Sequence, residues 1–374
     1  MKKTERFAVC MAAMATLALI FAGCSDETEE PDPGIVYDAG EWLITDTTAV
    51  CYRGMATEVK VPDGVTVIGN TAFNGCTSLE SVMIPGSVTF IGEKAFENCG
   101  NLKTVVYGGT LAQWCALDAY CLMWYAGQVT MSDGTDLKHM TTLAIPDGVR
   151  SIGDEAFYNC AALTSVTIPA SVVIIGSSAF YECENLKSVT IPDGVTSIGS
   201  GTFRGCTSLV SVEIPVSVKN IGDSAFWGCT SLTSVEIPAS VTGIGDWAFR
   251  GCTSLVSVEI PGSVTSIGFS VFWKCTSLVS VKIPDGVTSI GAYAFSECTS
   301  LASVEIPGSM TSIGDSAFED CTSLASVTYG GTKEQWGSMK KYGGIFYKTK
   351  VTEITDKDGN TFKVDTSGNI TESN

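Results

Sequence analysis

Histidine is almost missing from this chain of 374 residues: His139 is the single one. General-base chemistry that relies on imidazole therefore has one candidate. It lies beside Lys138 and is expected on the surface, without a Ser or Asp partner for catalysis. Cys-x-x-Cys pairs are absent although there are 15 cysteines, so the common zinc frames are missing too. Positive charge is scarce: 22 Lys and Arg stand against 40 Asp and Glu, a net charge of −18. That balance argues against nucleic acid, which needs neutralising Lys and Arg, and against docking on anionic lipid. Beyond the first two dozen residues no apolar run is long enough to span a bilayer. Asp356-Lys357-Asp358-Gly359-Asn360 has the start of a calcium loop but no later acid at the required spacing. It reads as a hairpin turn. No catalytic residue, metal or cofactor is expected, and the chain reads as a non-enzyme.

What the chain has in abundance is repetition. Over 191–282 one phrase recurs: Ile-Pro-Asp-Gly-Val-Thr-Ser-Ile-Gly, a short piece ending in Phe, then Gly-Cys-Thr-Ser-Leu-x-Ser-Val. Cys206, Cys229, Cys252 and Cys275 mark it every 23 residues. A fixed period in this range is the signature of a solenoid. Ten copies can be counted by their prolines, from Pro62 and Pro85 to Pro146 and onward to Pro307. Ten cysteines, Cys76 to Cys321, each follow a Phe by three residues. They form one column and are expected as free, buried thiols, since stacked side chains pointing the same way have poor bridge geometry.

The copy around Val235 shows what one unit should do. Val235 and Ile237 are two apart and share one face of a strand. Pro238, lacking an N–H, ends it. Val241 and Ile244 form a second apolar pair, Gly245 allows a tight turn, and Asp246 is expected to cap a single helical turn. Ala248, Phe249 and Cys252 should lie on the inner side of that turn. A lone unit buries too little to offset the entropy of ordering its backbone. Neighbours must cover both its flat faces, so the strands pair in parallel and identical residues form columns.

The motif Ile-Pro-x-x-Val-x-x-Ile-Gly-x-x-Ala-Phe-x-x-Cys-x-x-Leu-x-x-Val resembles the BspA-like leucine-rich repeats of bacterial surface proteins. It covers nearly all of 57–106 and 142–328, with Met310 in place of Val, and Thr202 and Val271 in place of Ala. The resemblance implies a repeat solenoid, mainly β with short helical turns, its 23-residue units stacked on a parallel β-sheet. It also implies attachment to host extracellular or cell-surface proteins.

Between Cys99 and Cys160 the spacing jumps to 61 residues. The insert opens with Tyr107-Gly108-Gly109-Thr110 and Gln113-Trp114, a phrase that returns as Tyr329-Gly330-Gly331-Thr332 and Gln335-Trp336. This predicts one cap module used twice: a short helix near the Trp, then a hairpin turning at Asp133-Gly134 or Asp358-Gly359. The first copy is expected to bulge from the array. At the N-terminus Lys2, Lys3 and Arg6 precede an apolar run over 7–22, as in a signal peptide. Phe21-Ala22-Gly23-Cys24 resembles a bacterial lipobox, which implies lipidation of Cys24; ordinary cleavage and release is the alternative. Ser25-Asp26-Glu27-Thr28-Glu29-Glu30 resembles the acidic export tag of Bacteroides-type surface lipoproteins, or is a solvated linker. The chain thus divides into a lipoprotein signal peptide (1–24), an acidic tether (25–36), an N-terminal cap (37–56), repeats (57–106), a cap-like insert (107–141), repeats (142–328) and a C-terminal cap (329–374).

Two surface columns are the candidate sites. The residue between Val and Ile points outward on the strand and reads Glu213, Glu236, Glu259, Lys282, Glu305. Like charges at that spacing repel, so the strip is either a solvated ribbon or a dock for a basic protein. The residue after each Phe reads Tyr158, Tyr181, Arg204, Trp227, Arg250, Trp273. Arg and Trp in alternation can stack as cation–π pairs, and Tyr, Trp and Arg dominate binding hot spots. This column is either packing between coils or a stripe facing a ligand such as a sugar. The expected function is adhesion or binding by a monomeric lipoprotein on the outer membrane and exposed at the cell surface. Its partner is a host protein or a glycan, and its only membrane contact is the lipid on Cys24. A structural spacer is the remaining alternative.

Overall fold

The computed structural model describes residues 35–38, 41–119 and 122–371. The chain is a β-solenoid of about 13 turns, ~23 residues apart, with parallel sheets and little helix. Each coil lays down a strand with the pattern Ser-Val-x, such as Ser188–Thr190, Ser211–Glu213 and Ser280–Lys282. Each also lays down a two-residue strand ending in Ile, such as Ser197–Ile198 and Asn220–Ile221. These define a Val face and an Ile face. Pairing is parallel and exactly one repeat apart: Val189 opposite Val212, Ile198 opposite Ile221, Glu259 opposite Lys282. Val235 and Ile237 are buried as their spacing requires, although pairing there shrinks to one bridge, Ser234 to Ser257.

The third side carries Ala-Phe-x-x-Cys, and here the expected helical turn does not form. Ser224 and Trp247 have φ of 56° and 57°, and Gly228 and Gly251 have φ of 76° and 70°. One left-handed residue in each of the first two repeats (Gly75, Asn98) and two per coil from Glu155 and Asn159 onward interrupt any run of helical dihedrals, so the segment becomes a series of tight turns. Coils are joined along this side by main-chain bonds, as from Phe226 N to Ala248 O (2.8 Å) and Phe249 N to Val271 O (2.9 Å). The Asp246 carboxylate does not cap its own turn; it accepts from Phe269 N of the next coil at 2.7 Å.

Inside, the phenylalanines stack in a row. Phe180 to Phe203 is 5.7 Å between centroids, Phe226 to Phe249 is 5.3 Å, and Phe318 to Phe346 is 5.5 Å. Every described cysteine is a free thiol. The column is buried from Cys99 to Cys321, while Cys76, in the first repeat, is only half-buried. Eight of the ten column thiols donate to a carbonyl of the coil before, as Cys206 Sγ does to Phe180 O (3.2 Å). The recurrent Ser and Thr positions do similar work from outside: Thr230 Oγ1 donates to Thr207 O (3.2 Å) and Ser240 Oγ to Val218 O (2.7 Å). Buried or half-buried carbonyls are thereby satisfied by side chains of the neighbouring coil.

The insert does not bulge. Its segment Gln128–Met131 continues the Val face, pairing with Thr104–Tyr107, and Asp118–Ala119 continues the Ile face, pairing with Phe90–Ile91. An extra 38 residues thus go into one more coil, in which Val129 stands opposite Val105 and Ala119 opposite Ile91, with Val129 and Leu117 buried. Leu111–Cys115 is the expected short helix, closed by a capping box between Thr110 and Gln113. A second short helix, Leu122–Tyr125, was not signalled by the repeat pattern. The following array seats directly on the insert: Gly153 N donates to Cys115 O (2.7 Å) and Trp114 Nε1 to Ala156 O (2.8 Å).

The C-terminal copy repeats the design. Helix Lys333–Ser338 has the same capping box, Thr332 with Gln335. Strands Glu353–Asp356 and Thr361–Val364 run antiparallel around Asp358 and Gly359, and Phe362 stacks on Trp336 to close the end. At the other end Ile35–Asp38, Trp42–Thr45 and Thr48–Tyr52 form an antiparallel meander, beginning two residues before the expected start of the cap at 37. The signal segment, Cys24 and the tether as far as residue 34 lie outside the described residues.

Candidate binding surfaces

Glu213, Glu236, Glu259, Lys282 and Glu305 are all exposed on the Val face. Lys282 Nζ meets Glu259 Oε1 at 2.8 Å, with the two side chains 74% and 73% exposed. That hydrogen bond and charge raise the Lys282 pKa. Among the described residues no cation pairs with Glu213 or Glu236, one coil apart. Ser234, Glu236, Ser257, Glu259, Pro261 and Lys282 line a shallow depression of about 500 Å3 on this face. Beside it run Val210, Val256 and Val279, each about half exposed (48%, 49% and 49%). Sequence reasoning passed over these valines; their signal was the variable position in Leu-x-Ser-Val, which holds Val where a polar residue would serve.

The second column is continuous. Tyr158 stacks on Tyr181 at 4.6 Å and 7°. Arg204 lies 5.3 Å from the Tyr181 ring and 3.7 Å from Trp227; Arg250 lies 4.2 Å from Trp227 and 4.0 Å from Trp273. Tyr158 is buried and the others are half-buried. The Trp227 ring thus lies between two guanidinium groups, one from the coil before and one from the coil after. A pyranose needs an open ring face, and Trp227 has a guanidinium against each of its faces. At its insert end the column continues into Trp124, which stacks on Tyr158 at 5.6 Å and is 64% exposed. Trp124 was also missed, because it lies on the unforeseen helix.

His139 is on the surface as expected, but it does have an acidic partner: its Nδ1 is 2.7 Å from Asp136 Oδ2. Asp136 also accepts from Gln128 Nε2 and Lys138 N, and these bonds hold its carboxyl below the usual range despite partial burial. Lys138 Nζ donates to Ala126 O at 2.6 Å, fastening the insert hairpin to the second helix. Asp356 is a turn residue: its carboxylate accepts from Asp358 N, Asn360 N and Asn360 Nδ2. Among the described residues no group of three His, Cys, Asp or Glu side chains could hold a metal ion. No helix among them is long and apolar enough to cross a membrane.

The family model described as BspA type leucine rich repeat region, in six copies, matches residues 48–115, 136–256 and 248–362, most of the chain. A leucine rich cell surface protein from Faecalibacterium prausnitzii is similar in structure, with 28% identity over 85% of this chain and 99% of that one and a TM-score of 0.51. A leucine-rich repeat protein from Eubacterium ventriosum shares the fold, with 21% identity over 83% and 90% of the two chains and a TM-score of 0.53. A third, from Bacteroides ovatus, has 26% identity over 85% and 90% with a TM-score of 0.37. No curated protein matches the chain.

Proposed function

From the premise that the chain belongs to the BspA type leucine rich repeat family, we propose that it is a non-enzymatic binding protein of the cell surface that docks a basic host protein on its Val face. The observation that carries this reading is the acid column with Glu213 and Glu236 left without a cation, alongside a column of half-exposed valines. Like charges one strand apart repel, and a partner bearing Lys or Arg with an apolar flank relieves both the charge and the exposed apolar area. Lipidation of Cys24 on an outer membrane would tether the molecule, with 25–36 as the spacer. It acts as a monomer, each copy presenting one rod.

The test is capture of purified extracellular-matrix proteins by the full chain across a salt series. Binding should fall steeply with salt and should weaken about tenfold in Glu236→Lys, since a reversed rim charge acts on association. Binding that ignores both would leave the molecule as a spacer. Glycan capture on Trp227 is disfavoured, because Arg204 and Arg250 cover its ring faces.

A further inference from the structure

Trp124 is the exposed end of an otherwise filled stack. One of its ring faces lies on Tyr158, yet the side chain is 64% exposed, so the opposite face is open to solvent. Burial of its neighbours Leu122 and Met123 anchors the short helix, and Tyr158 backs the ring, so the indole is held rather than swinging freely. A rigid exposed indole is a typical binding anchor.

The chain itself indicates which group such a face accepts. Trp227 takes Arg204 on one side and Arg250 on the other, and Trp273 takes Arg250. Among the described residues no cation lies over Trp124. In the same column the preceding residues are Asn74 and Glu97, which bond to each other across one coil (Asn74 Nδ2 to Glu97 Oε2, 2.9 Å). Glu97 has no cation partner among the described residues; it follows Phe96 in the coil before the insert, whereas Tyr158, on the covered face of Trp124, belongs to the coil after it. An electron-rich ring face with a carboxylate one coil away suits a planar cation, which gains from both.

We propose that Trp124, with Glu97, is a binding site for an arginine side chain of a partner protein, separate from the acid column on the Val face. The guanidinium would extend the stack by one more layer in the manner of Arg204 on Trp227. A sugar ring is the competing occupant. It is disfavoured by the nearby carboxylate and by the chain's own pairing of Trp with Arg.

The experiment follows the indole N–H signals of the full chain by NMR. The probes are a Gly-Arg-Gly-Arg-Gly peptide, its lysine twin and chitohexaose. The arginine peptide should move the Trp124 signal and bind more tightly than the lysine twin. Affinity should fall about fivefold in Trp124→Ala and less in Trp124→Phe. Glu97→Gln should weaken binding and flatten its salt dependence. Trp124→Ala also removes a stacking partner of Tyr158, so Trp124→Phe, which keeps a ring there, separates lost binding from lost packing. Three results would overturn the assignment: no binding of the arginine peptide, binding unchanged in Trp124→Ala, or a Trp124 shift caused by chitohexaose alone. The Trp124 indole shift reports this site alone, whereas the salt-dependent capture weakened by Glu236→Lys reports the Val face, so failure at one is distinguishable from failure at the other.

Discussion

Gly222 presses against the backbone of Gly199, its equivalent one coil earlier. A β-carbon on Gly222 would stand 2.8 Å from the Gly199 carbonyl carbon and 2.7 Å from Ser200 N. Neither neighbour is a flexible side chain that could yield. Gly222→Ala should therefore force coils apart and cost about 3 kcal/mol, read as a lower urea midpoint. Gly228 is a glycine for a different reason. A β-carbon there would have no atom nearer than 3.9 Å, but φ is +76°. Gly228→Ala should cost only about 1 kcal/mol, through backbone strain. Ser224→Gly, at φ 56°, should raise stability by up to about 1 kcal/mol. Equal effects at Gly222 and Gly228 would contradict this distinction.

Arg250 lies between Trp227 and Trp273, which makes it a structural cation rather than a free one. Arg250→Ala should lower stability by about 1 kcal/mol, through lost stacking and lost cover over the rings. Arg250→Lys should recover part of that. Thermal melts at low and high salt would check it, and the loss should persist at high salt because most of it is contact.

The buried thiols predict an alkaline limit. Burial pushes Cys99 up to about 11 and Cys115 and Cys275 up to about 12, from the ordinary 9.0. A raised folded pKa means that above pH 9 the unfolded chain holds fewer protons than the folded one. The stabilisation is complete below about pH 9 and is lost as pH rises towards 12. Urea midpoints should fall steeply across that window, and Cys275→Ala should make the fall shallower. Below pH 9 the buried column thiols, Cys99 to Cys321, should resist an aromatic disulfide reagent until the chain is denatured, while Cys76 should react first.

Lys282 interrupts the acid column and neutralises Glu259. Lys282→Glu should set five carboxylates in a row, destabilise the chain at low ionic strength and regain that loss as salt is added. If Val-face docking is right, the same change should tighten capture of a basic partner. Weaker capture would count against it.

Much of the architecture was legible because period and burial are the same information in a solenoid. The Phe, Cys and Leu positions recur because each meets its own copy one layer away, so spacing alone located the core. The left-handed positions were hidden, since Ser224 and Trp247 are not residues that advertise positive φ. The helical turn was misread for that reason, and Asp246 with it. The insert's course was hidden because its inward residues, Leu117 and Val129, follow a spacing unlike the repeat's. The acid column could be read from sequence, because alternation on a strand decides which side chains point out. Whether the guanidinium groups and indole rings faced water or one another could not, since the same spacing permits both. Trp124 depended on a helix no periodicity announced, and Asp136 on a bend that returns it to His139.

The insert continues both sheets while carrying the same cap module that closes the chain. Whole layers can therefore be added or removed on either side of it without rebuilding an end. Each layer lengthens the rod by about 4.8 Å. A lineage could tune the length of the rod in fixed steps of one layer, as one sets the height of a ladder by its rungs, while the exposed residues at each rung change independently.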